Sequence, residues 1–384
     1  MRAANSEAAL YLDKAADVER FLNEISHVKE LALDTEGASF HRFLDRIYLL
    51  QISTRDRNAI IDPLPIGSPA ALGELLQHND IEVVFHDADY DLRLLHQDYG
   101  WHVTNIFDTR IAAQLLGIKS FGLAALLEQF FDVKLDKKHQ RADWSMRPLP
   151  QDMLDYAVQD TRYLLQLRDH MKSELQRRGR WHWAQEEFAR LEGTRWETEE
   201  AMEGFLRLKG ARDLTRRELA VLREVSNWRD KMAEQLDRAT FRVMGNEVLF
   251  ELARTAPRNV TALSTIKGMP KGMIDRAGSD LVSAIRRGLE APEAELPRFP
   301  RGQRWNKDRD FDDRVGRLKS VRDAAATRLE LDPGVLCSRE RLENVARSAA
   351  KTVNDLEKVP DLRKWQIQEM GEQFLQALRA PNAA

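Results

Sequence analysis

Glu30-Leu-Ala-Leu-Asp-Thr-Glu36 decides the fold. Leu31 and Leu33 fall on one side of the run, and Gly37 ends it, as expected of a strand. A strand's period of two then places Asp34 and Glu36 together on one face at its end. Outward from it, Arg46–Ser53 (RIYLLQIS) and Asn58–Asp62 (NAIID) read as two more strands, with a turn around Arg55-Asp56-Arg57. Pro63 and Pro65 close that region. Ser68–Gln77 reads as a helix and Ile81–His86 (IEVVFH) as a buried strand. Asp89–Tyr99 is an amphipathic helix with Leu92, Leu95 and Tyr99 on one face, and Thr104–Phe107 is a short strand. Helices follow at Thr109–Leu116 and Phe121–Phe130. Lys134–Pro150 is polar and irregular. Gln151–Arg178 reads as one long helix marked by Leu154, Val158, Leu164 and Leu167.

Past Gly179 the strand signals fade. The spacing divides the 384 residues into an α/β domain over 1–180, an acidic, Trp-rich connector over 181–204 and a helical domain over 205–291. A Pro- and Arg-rich linker over 292–309 and a second small helical domain over 310–384 complete the chain. In the first helical domain short helices are expected, broken near Gly245, Pro257 and the Gly268-Met-Pro-Lys-Gly272 loop. Hydrophobic residues are 43% and charged residues 32%, a globular balance. No run approaches the ~20 apolar residues of a membrane helix. Met1–Leu10 shows no secretory signal, and the single cysteine, Cys337, excludes an internal disulfide framework or a Cys-based zinc cluster. A cytoplasmic protein is expected, with no membrane partner. The net charge of −3 hides an asymmetry. Residues 1–180 carry 22 Lys+Arg against 28 Asp+Glu, whereas 201–290 carry 17 against 12. Acid suits a metal and base suits phosphate, although solvated helix faces give the same pattern.

Three further positions join Asp34 and Glu36. Asp91 lies near the start of the helix that follows the buried strand. Tyr156 and Asp160 are spaced i, i+4 on one helix face. Alone, each is weak: Asp-x-Glu at a strand end is most often a solvated turn, and Tyr-x-x-x-Asp on a helix is most often incidental. In order, however, Leu33-Asp-Thr-Glu36, His86-Asp-Ala-Asp-Tyr-Asp91 and Tyr156-Ala-Val-Gln-Asp160 resemble the three exonuclease motifs of the DEDD superfamily, in its tyrosine branch. The ribonuclease D family is the most similar. Asp136-Lys-Lys-His-Gln-Arg-Ala-Asp-Trp144 and Arg147-Pro-Leu-Pro150 also look like the segment that precedes its third motif. Residues 212–290 resemble the helicase-and-ribonuclease-D C-terminal (HRDC) domain, and Phe311–Leu378 a divergent second copy.

The resemblance implies a ribonuclease-H-like mixed sheet flanked by helices, followed by two small all-α domains. It implies that Asp34, Glu36, Asp91 and Asp160 meet at one end of the sheet. Four carboxylates in one cleft raise each other's pKa values unless cations neutralise them, and all-oxygen ligation suits Mg²⁺ or Mn²⁺. Two such ions ~3.5–4 Å apart can hold the attacking and leaving oxygens of an in-line displacement. By the family's pattern Asp34 bridges the two, Glu36 and Asp160 complete the first site, Asp91 holds the second, and Tyr156 orients the attacking water. The pattern His-x-x-x-x-Asp-Leu selects Asp91 over Asp87 and Asp89. Asp89 then reads as a helix cap or early-turn acid, and Asp108 as the cap of the helix at Thr109. His86 reads as a hydrogen-bonded structural histidine, Cys337 as a small core residue, and Trp181 and Trp183 as packing anchors.

The implied activity is that of a 3′→5′ exoribonuclease, a phosphodiester hydrolase releasing nucleoside 5′-monophosphates, acting on transfer RNA precursors and other small structured RNAs. A monomer is expected. Lys137, Lys138 and Arg141 in the polar loop are candidate RNA contacts. So are Lys267 and Lys271, beside a Gly-broken helix start that offers backbone amides to phosphate. Solvated loops, or a helical domain that only packs, are the plain readings of the same residues. Two alternatives stand beside this activity: a DNA 3′→5′ exonuclease of the same superfamily, and a non-catalytic RNA-binding protein whose exonuclease domain has degenerated. The intact carboxylates and tyrosine count against the second.

Overall fold

A computed structural model describes residues 9–136, 138–196, 203–300 and 310–380. The stretch from Glu30 to Glu36 is β2, at the centre of a six-stranded sheet ordered β1-β4-β3-β2-β5-β6. Here β1 is Leu10–Leu12, β3 Leu49–Ser53, β4 Asn58–Ile61, β5 Glu82–Phe85 and β6 Ile106–Asp108. β3 runs antiparallel to β2 and β4, while β5 runs parallel to β2 and β6. The sheet is therefore mixed, with helices on both faces, as expected. The three-residue β1 escapes a pattern reading: its pairing with β4, Leu10 opposite Ala59, is non-local.

The pleat sorts β2 into two sides. Leu31 and Leu33 join Leu50, Ile52, Val83 and Phe85 in a core beneath helices Ala15–Ile25 and Asp89–Tyr99. Ala32 faces the opposite core, with Val84 and Phe107, under helices Thr109–Leu115 and Leu164–Arg177. Asp34 and Glu36 continue that second side beyond the apolar cover. The single helix expected over 151–178 is three pieces, Gln151–Ala157, Gln159–Arg162 and Leu164–Arg177. Hydrogen bonds from Arg162 N to Val158 O (3.1 Å) and from Leu167 N to Tyr163 O (3.0 Å) carry the helix across the breaks. The middle piece is pinned to the sheet by Thr161 Oγ1, 2.8 Å from Ser53 Oγ, which itself donates to Asn58 Oδ1 at 2.8 Å.

The stretch read as a connector begins as a helix, Trp181–Leu191; residues 197–202 lie outside the described set, as do 301–309 of the expected linker. Trp183 is buried and stacks on Trp365 at 4.7 Å between ring centroids. Glu187 accepts from Arg363 Nε and Trp365 Nε1, each at 3.0 Å. Glu186 accepts from the backbone N–H groups of Lys364 (2.8 Å) and Trp365 (3.1 Å) at the start of helix Lys364–Arg379. The second helical domain thus shares one hydrophobic core with the α/β domain, and Cys337 is buried within it.

The first helical domain has a core of its own around Leu222, Val225, Leu249, Leu281 and Ile285. Its breaks fall where Gly245, Pro257 and Gly268–Gly272 suggest; of its outer helices, Arg216–Leu236 is long rather than short, and Lys271–Glu290 is kinked into two pieces at Ala277. They pack so closely that a Cβ on Gly288 would lie 2.5 Å from Val221 Cα.

Candidate active site

The sheet brings the expected carboxylates to one cleft of about 560 Å³. Asp34 and Glu36 reach it from the end of β2, Asp91 from the first turn of helix 89–99, and Asp160 from the short helix 159–162. One oxygen each from Asp34, Glu36 and Asp160 can lie within 4.8 Å of one another. Asp91 stands beside this trio, its Oδ1 accepting from Thr35 N (3.1 Å) and Thr35 Oγ1 (2.5 Å). Thr35 faces away from Asp34 and Glu36 on the pleat, so one three-residue run serves both the trio and the fourth acid.

Recessed together, the four acids hold on to protons. Burial first, then the Asp160 charge, pushes Asp34 well above the ordinary carboxylate range. Glu36 is raised by burial and by Asp34, Asp160 and Asp91, and Asp91 by burial and Asp34. Burial and the Asp91 charge lift Asp160 to about 7. Among the described residues, the charges that act most on these groups are each other's. A set of hard oxygen donors that cannot all ionise unaided fits divalent cations.

Asp87 and Asp89, the competitors in the second motif, are engaged elsewhere. Asp87 pairs with Arg110, and Asp89 pairs with Arg93 at 2.8 Å. Asp108 caps helix 109–115 through Arg110 N (2.8 Å) and Ile111 N (3.0 Å), and also accepts from Ala88 N. It steadies the turn that aims Asp91. His86 lines the cleft with Nδ1 2.9 Å from Thr109 Oγ1. Burial and Arg110 depress its pKa to about 4, so at neutral pH it is an uncharged structural group.

Tyr156 lies one turn before Asp160, its ring 6.1 Å from the buried Trp144 and 5.8 Å from His139. Burial and the charges of Asp160, Glu36 and Asp34 raise its pKa, which keeps the phenol protonated. The polar loop bearing Trp144 is stapled to the sheet by Arg147, which donates to Tyr48 O (3.0 Å), Trp144 O (2.8 Å) and Asp62. Lys138 pairs with Asp152 at 2.9 Å, and the Arg141 guanidinium sits over the Phe40 ring. Lys137 lies outside the described residues. Lys267 and Lys271 are exposed in the first helical domain, flanking the turn at Gly268.

Two groups at the site are missed by sequence reasoning. Thr35 reads there only as the spacer of Asp-x-Glu. Gln51 sits directly across from Asp34 in the β2–β3 register. It is fully buried, and neither side-chain polar atom has a partner among the described residues. Period-two reading of LLQIS marks Gln51 as a polar residue on a buried strand, but its neighbour in space comes only from the register.

Residues 10–176 match the family model of a 3′-5′ exonuclease, and 218–285 and 311–378 each match the HRDC domain. The ribonuclease D of Desulfotalea psychrophila is 29% identical over 339 residues, 87% of this chain and 90% of that protein. That of Granulibacter bethesdensis is 29% identical over 367 residues, 95% of this chain and 91% of its own. The chain belongs to the ribonuclease D family. Escherichia coli RNase D shares the fold, with a TM-score of 0.73 over 97% of this chain and 99% of that one, at 23% identity. As a ribonuclease D family member the chain is a 3′→5′ exoribonuclease of the DEDD superfamily, whose fold uses divalent metal ions. Among the described residues no helix is long and apolar enough to cross a membrane.

Proposed function

We propose that this exoribonuclease trims the 3′ ends of small structured RNAs, transfer RNA precursors foremost, as a cytoplasmic monomer, with two divalent ions, Mg²⁺ or Mn²⁺, releasing nucleoside 5′-monophosphates. The observation that carries the chemistry is the convergence of Asp34, Glu36 and Asp160 within 4.8 Å, with Asp91 beside them. Asp34, Glu36, Asp91 and Asp160 would hold the ions, with Asp34 the ligand common to both. Bound there, the ions would supply the positive charge that activates water and offsets the negative charge developing on the leaving oxygen.

The chain's own groups set the geometry. Thr35 fixes the Asp91 carboxylate, and the Ser53–Thr161 contact fixes the short helix that presents Asp160. The Tyr156 hydroxyl, held protonated, hydrogen-bonds and orients the attacking water rather than removing its proton. The preference for structured RNA is supported by the two helical domains and by the excess of base over 201–290, where Lys267 and Lys271 are exposed. Such contacts grip phosphate without reading sequence.

One assay tests the reading. The purified protein is incubated with 3′-extended transfer RNA, unstructured RNA and single-stranded DNA, in Mg²⁺, Mn²⁺ or chelator. The expected result is divalent-dependent, stepwise release of 5′-monophosphates from RNA, with the transfer RNA shortened to its mature end. Cleavage in chelator, 3′-monophosphate products, or DNA degraded as fast as RNA would each count against it.

A further inference from the structure

Two large hydrophobic side chains, Phe40 and Phe241, stand outside every core, beside the loop that carries Gln140 to the cleft. Phe40, four residues past Glu36 in the loop that leaves β2, is 43% exposed. Phe241, in the single turn Thr240–Val243 of the first helical domain, is 53% exposed. The two rings meet nearly at right angles, 6.3 Å between centroids. The Arg141 guanidinium lies 5.1 Å from the Phe40 ring centre, and its neighbour Gln140 lines the carboxylate cleft.

The backbone beneath these groups is fixed from both domains. Ala239 N donates to His41 O at 3.2 Å, and Arg242 donates to Phe40 O. His41 Nε2 lies 2.9 Å from Arg141 O, and Arg42 donates to Asp237 at 3.1 Å. Polar contacts thus hold the domains together here, while about half of each ring faces water. A purely packing role would have buried them, as it buries Val243 in the neighbouring core. Two acids on the same loops, Asp143 and Asp237, both lie within ion-pair distance of Arg42, which lessens their repulsion of a passing phosphate chain.

We propose that Phe40, Phe241 and Arg141 form a stacking platform for the single-stranded RNA segment just upstream of the 3′ nucleotide in the cleft. The proposal rests on the exoribonuclease reading and adds where the next nucleotides go. An enzyme that shortens an RNA stepwise must hold whatever base arrives. Aromatic stacking does so because every base has a π-face, and arginine adds a cation that can stack or meet phosphate. The chain links the platform to the catalytic cleft: Gln140, next to Arg141, lines it, and Ala38, two residues before Phe40, packs in the cluster that holds Trp144 with Tyr156 against it.

The test measures affinity for oligouridylates of about two to about ten nucleotides, with the full chain carrying Asp34→Asn to stop turnover. The wild-type rim should give a step in affinity once the oligomer is long enough to reach the rings. Phe40→Leu and Phe241→Leu keep apolar bulk and lose the π-face; each should cut the long-to-short affinity ratio by ~10-fold. Phe40→Trp and Phe241→Trp should keep it. A 2-aminopurine placed upstream of the 3′ end should be quenched in the wild-type rim and brightened by the leucine variants. Leucine variants that bind the whole ladder as the parent does would overturn the platform and leave the patch to a protein partner. Tryptophan variants that fail as leucine does would overturn stacking as its basis. Failure of the underlying reading looks different: the unmutated protein would then release no 5′-monophosphate from any RNA.

Discussion

Replacing Asp160 with asparagine should abolish RNA cleavage and, in the absence of metal, make the protein more stable at pH 8. Burial and the neighbouring Asp91 charge lift the Asp160 pKa to about 7, against an unfolded value of about 3.9. Each pKa unit is worth ~1.36 kcal/mol, so keeping this group ionised in the fold costs up to ~4 kcal/mol. The carboxylate keeps part of its surface open to the cleft, and water there screens it. A recovery of ~2 kcal/mol is therefore the working figure. Between about pH 4 and 7 the folded state holds a proton that the unfolded chain has released. The favourable contribution of that raised pKa is thus complete below about pH 4 and gone above about pH 7. Asp160 is also among the charges that raise Asp34 and Glu36, so the neutral amide relieves them as well.

His86 acts with the opposite sign. Its pKa is depressed to about 4, so its contribution to stability rises between about pH 4 and its unfolded value near 6.5. Comparing Asp160→Asn with the parent at each pH removes that shared background. The assay is urea unfolding in chelator at pH 5, 6.5 and 8, repeated with excess Mg²⁺ or Mn²⁺. In chelator the variant should lead by ~2 kcal/mol at pH 8 and the lead should shrink toward pH 5. With ion the order should reverse, because a ligand that binds only the folded parent adds ~2.7 kcal/mol at a hundredfold excess over its dissociation constant. A variant less stable than the parent in chelator at pH 8, or a lead that does not narrow with acid, would refute the view that these carboxylates repel one another until a cation arrives.

Tyr156→Phe removes one hydroxyl; turnover should fall by ~10²–10⁴-fold with RNA affinity nearly constant, and a loss confined to binding would mean that the ring contacts substrate instead. Gln51→Met removes a buried amide that has no partner among the described residues, and should raise the melting temperature of the metal-free protein by about 2–4 °C for each ~1 kcal/mol recovered; a lower melting temperature would mean that Gln51 is satisfied by buried water. Trp365→Ala empties the stack on Trp183 and should cost ~3–5 kcal/mol, read as faster hydrogen exchange in helices 181–191 and 364–379 together; exchange confined to the latter would argue against a shared core.

What the sequence discloses depends on how local the cause is. Asp34 and Glu36 are legible because one strand and its pleat place both. Asp91 is harder, since Asp87 and Asp89 stand beside it. Motif resemblance selects it, and the physical reason is that Arg110 and Arg93 take the other two. The segmentation of 151–178 is not legible, because the group that pins Thr161 is Ser53, 108 residues earlier. Apolar spacing in that stretch reports only the helical period, which the breaks preserve. Trp183 reads correctly as an anchor, but its partner Trp365 is in the second helical domain, and no pattern within either segment names it. The same holds for Gln51, whose neighbour Asp34 emerges only when β2 and β3 pair.

The two helical domains are attached in physically different ways, and this determines how an RNA grip can be tested. Cutting the chain after Arg190 would remove both, uncover Trp183 and strip Glu186 and Glu187 of their partners. Any weakening of RNA affinity would then be confounded with a damaged core. The first domain has its own core and meets the catalytic domain through the loop at 40–43, by hydrogen bonds such as Arg42 to Asp237. The clean perturbation is therefore charge, not deletion: Lys267→Ala with Lys271→Ala, both exposed and far in sequence from the catalytic motifs. Abolishing one lysine–phosphate interaction should flatten the dependence of log affinity on log salt by ~0.7 on single strands and ~0.9 on duplex. Because these lysines lie in the helical domain, the double variant should weaken transfer RNA binding more than binding of a short oligomer, with the melting temperature unchanged. An unaltered salt slope on transfer RNA would reject these lysines as phosphate ligands. Equal weakening on both RNAs would place them near the 3′ end rather than on the body of the substrate.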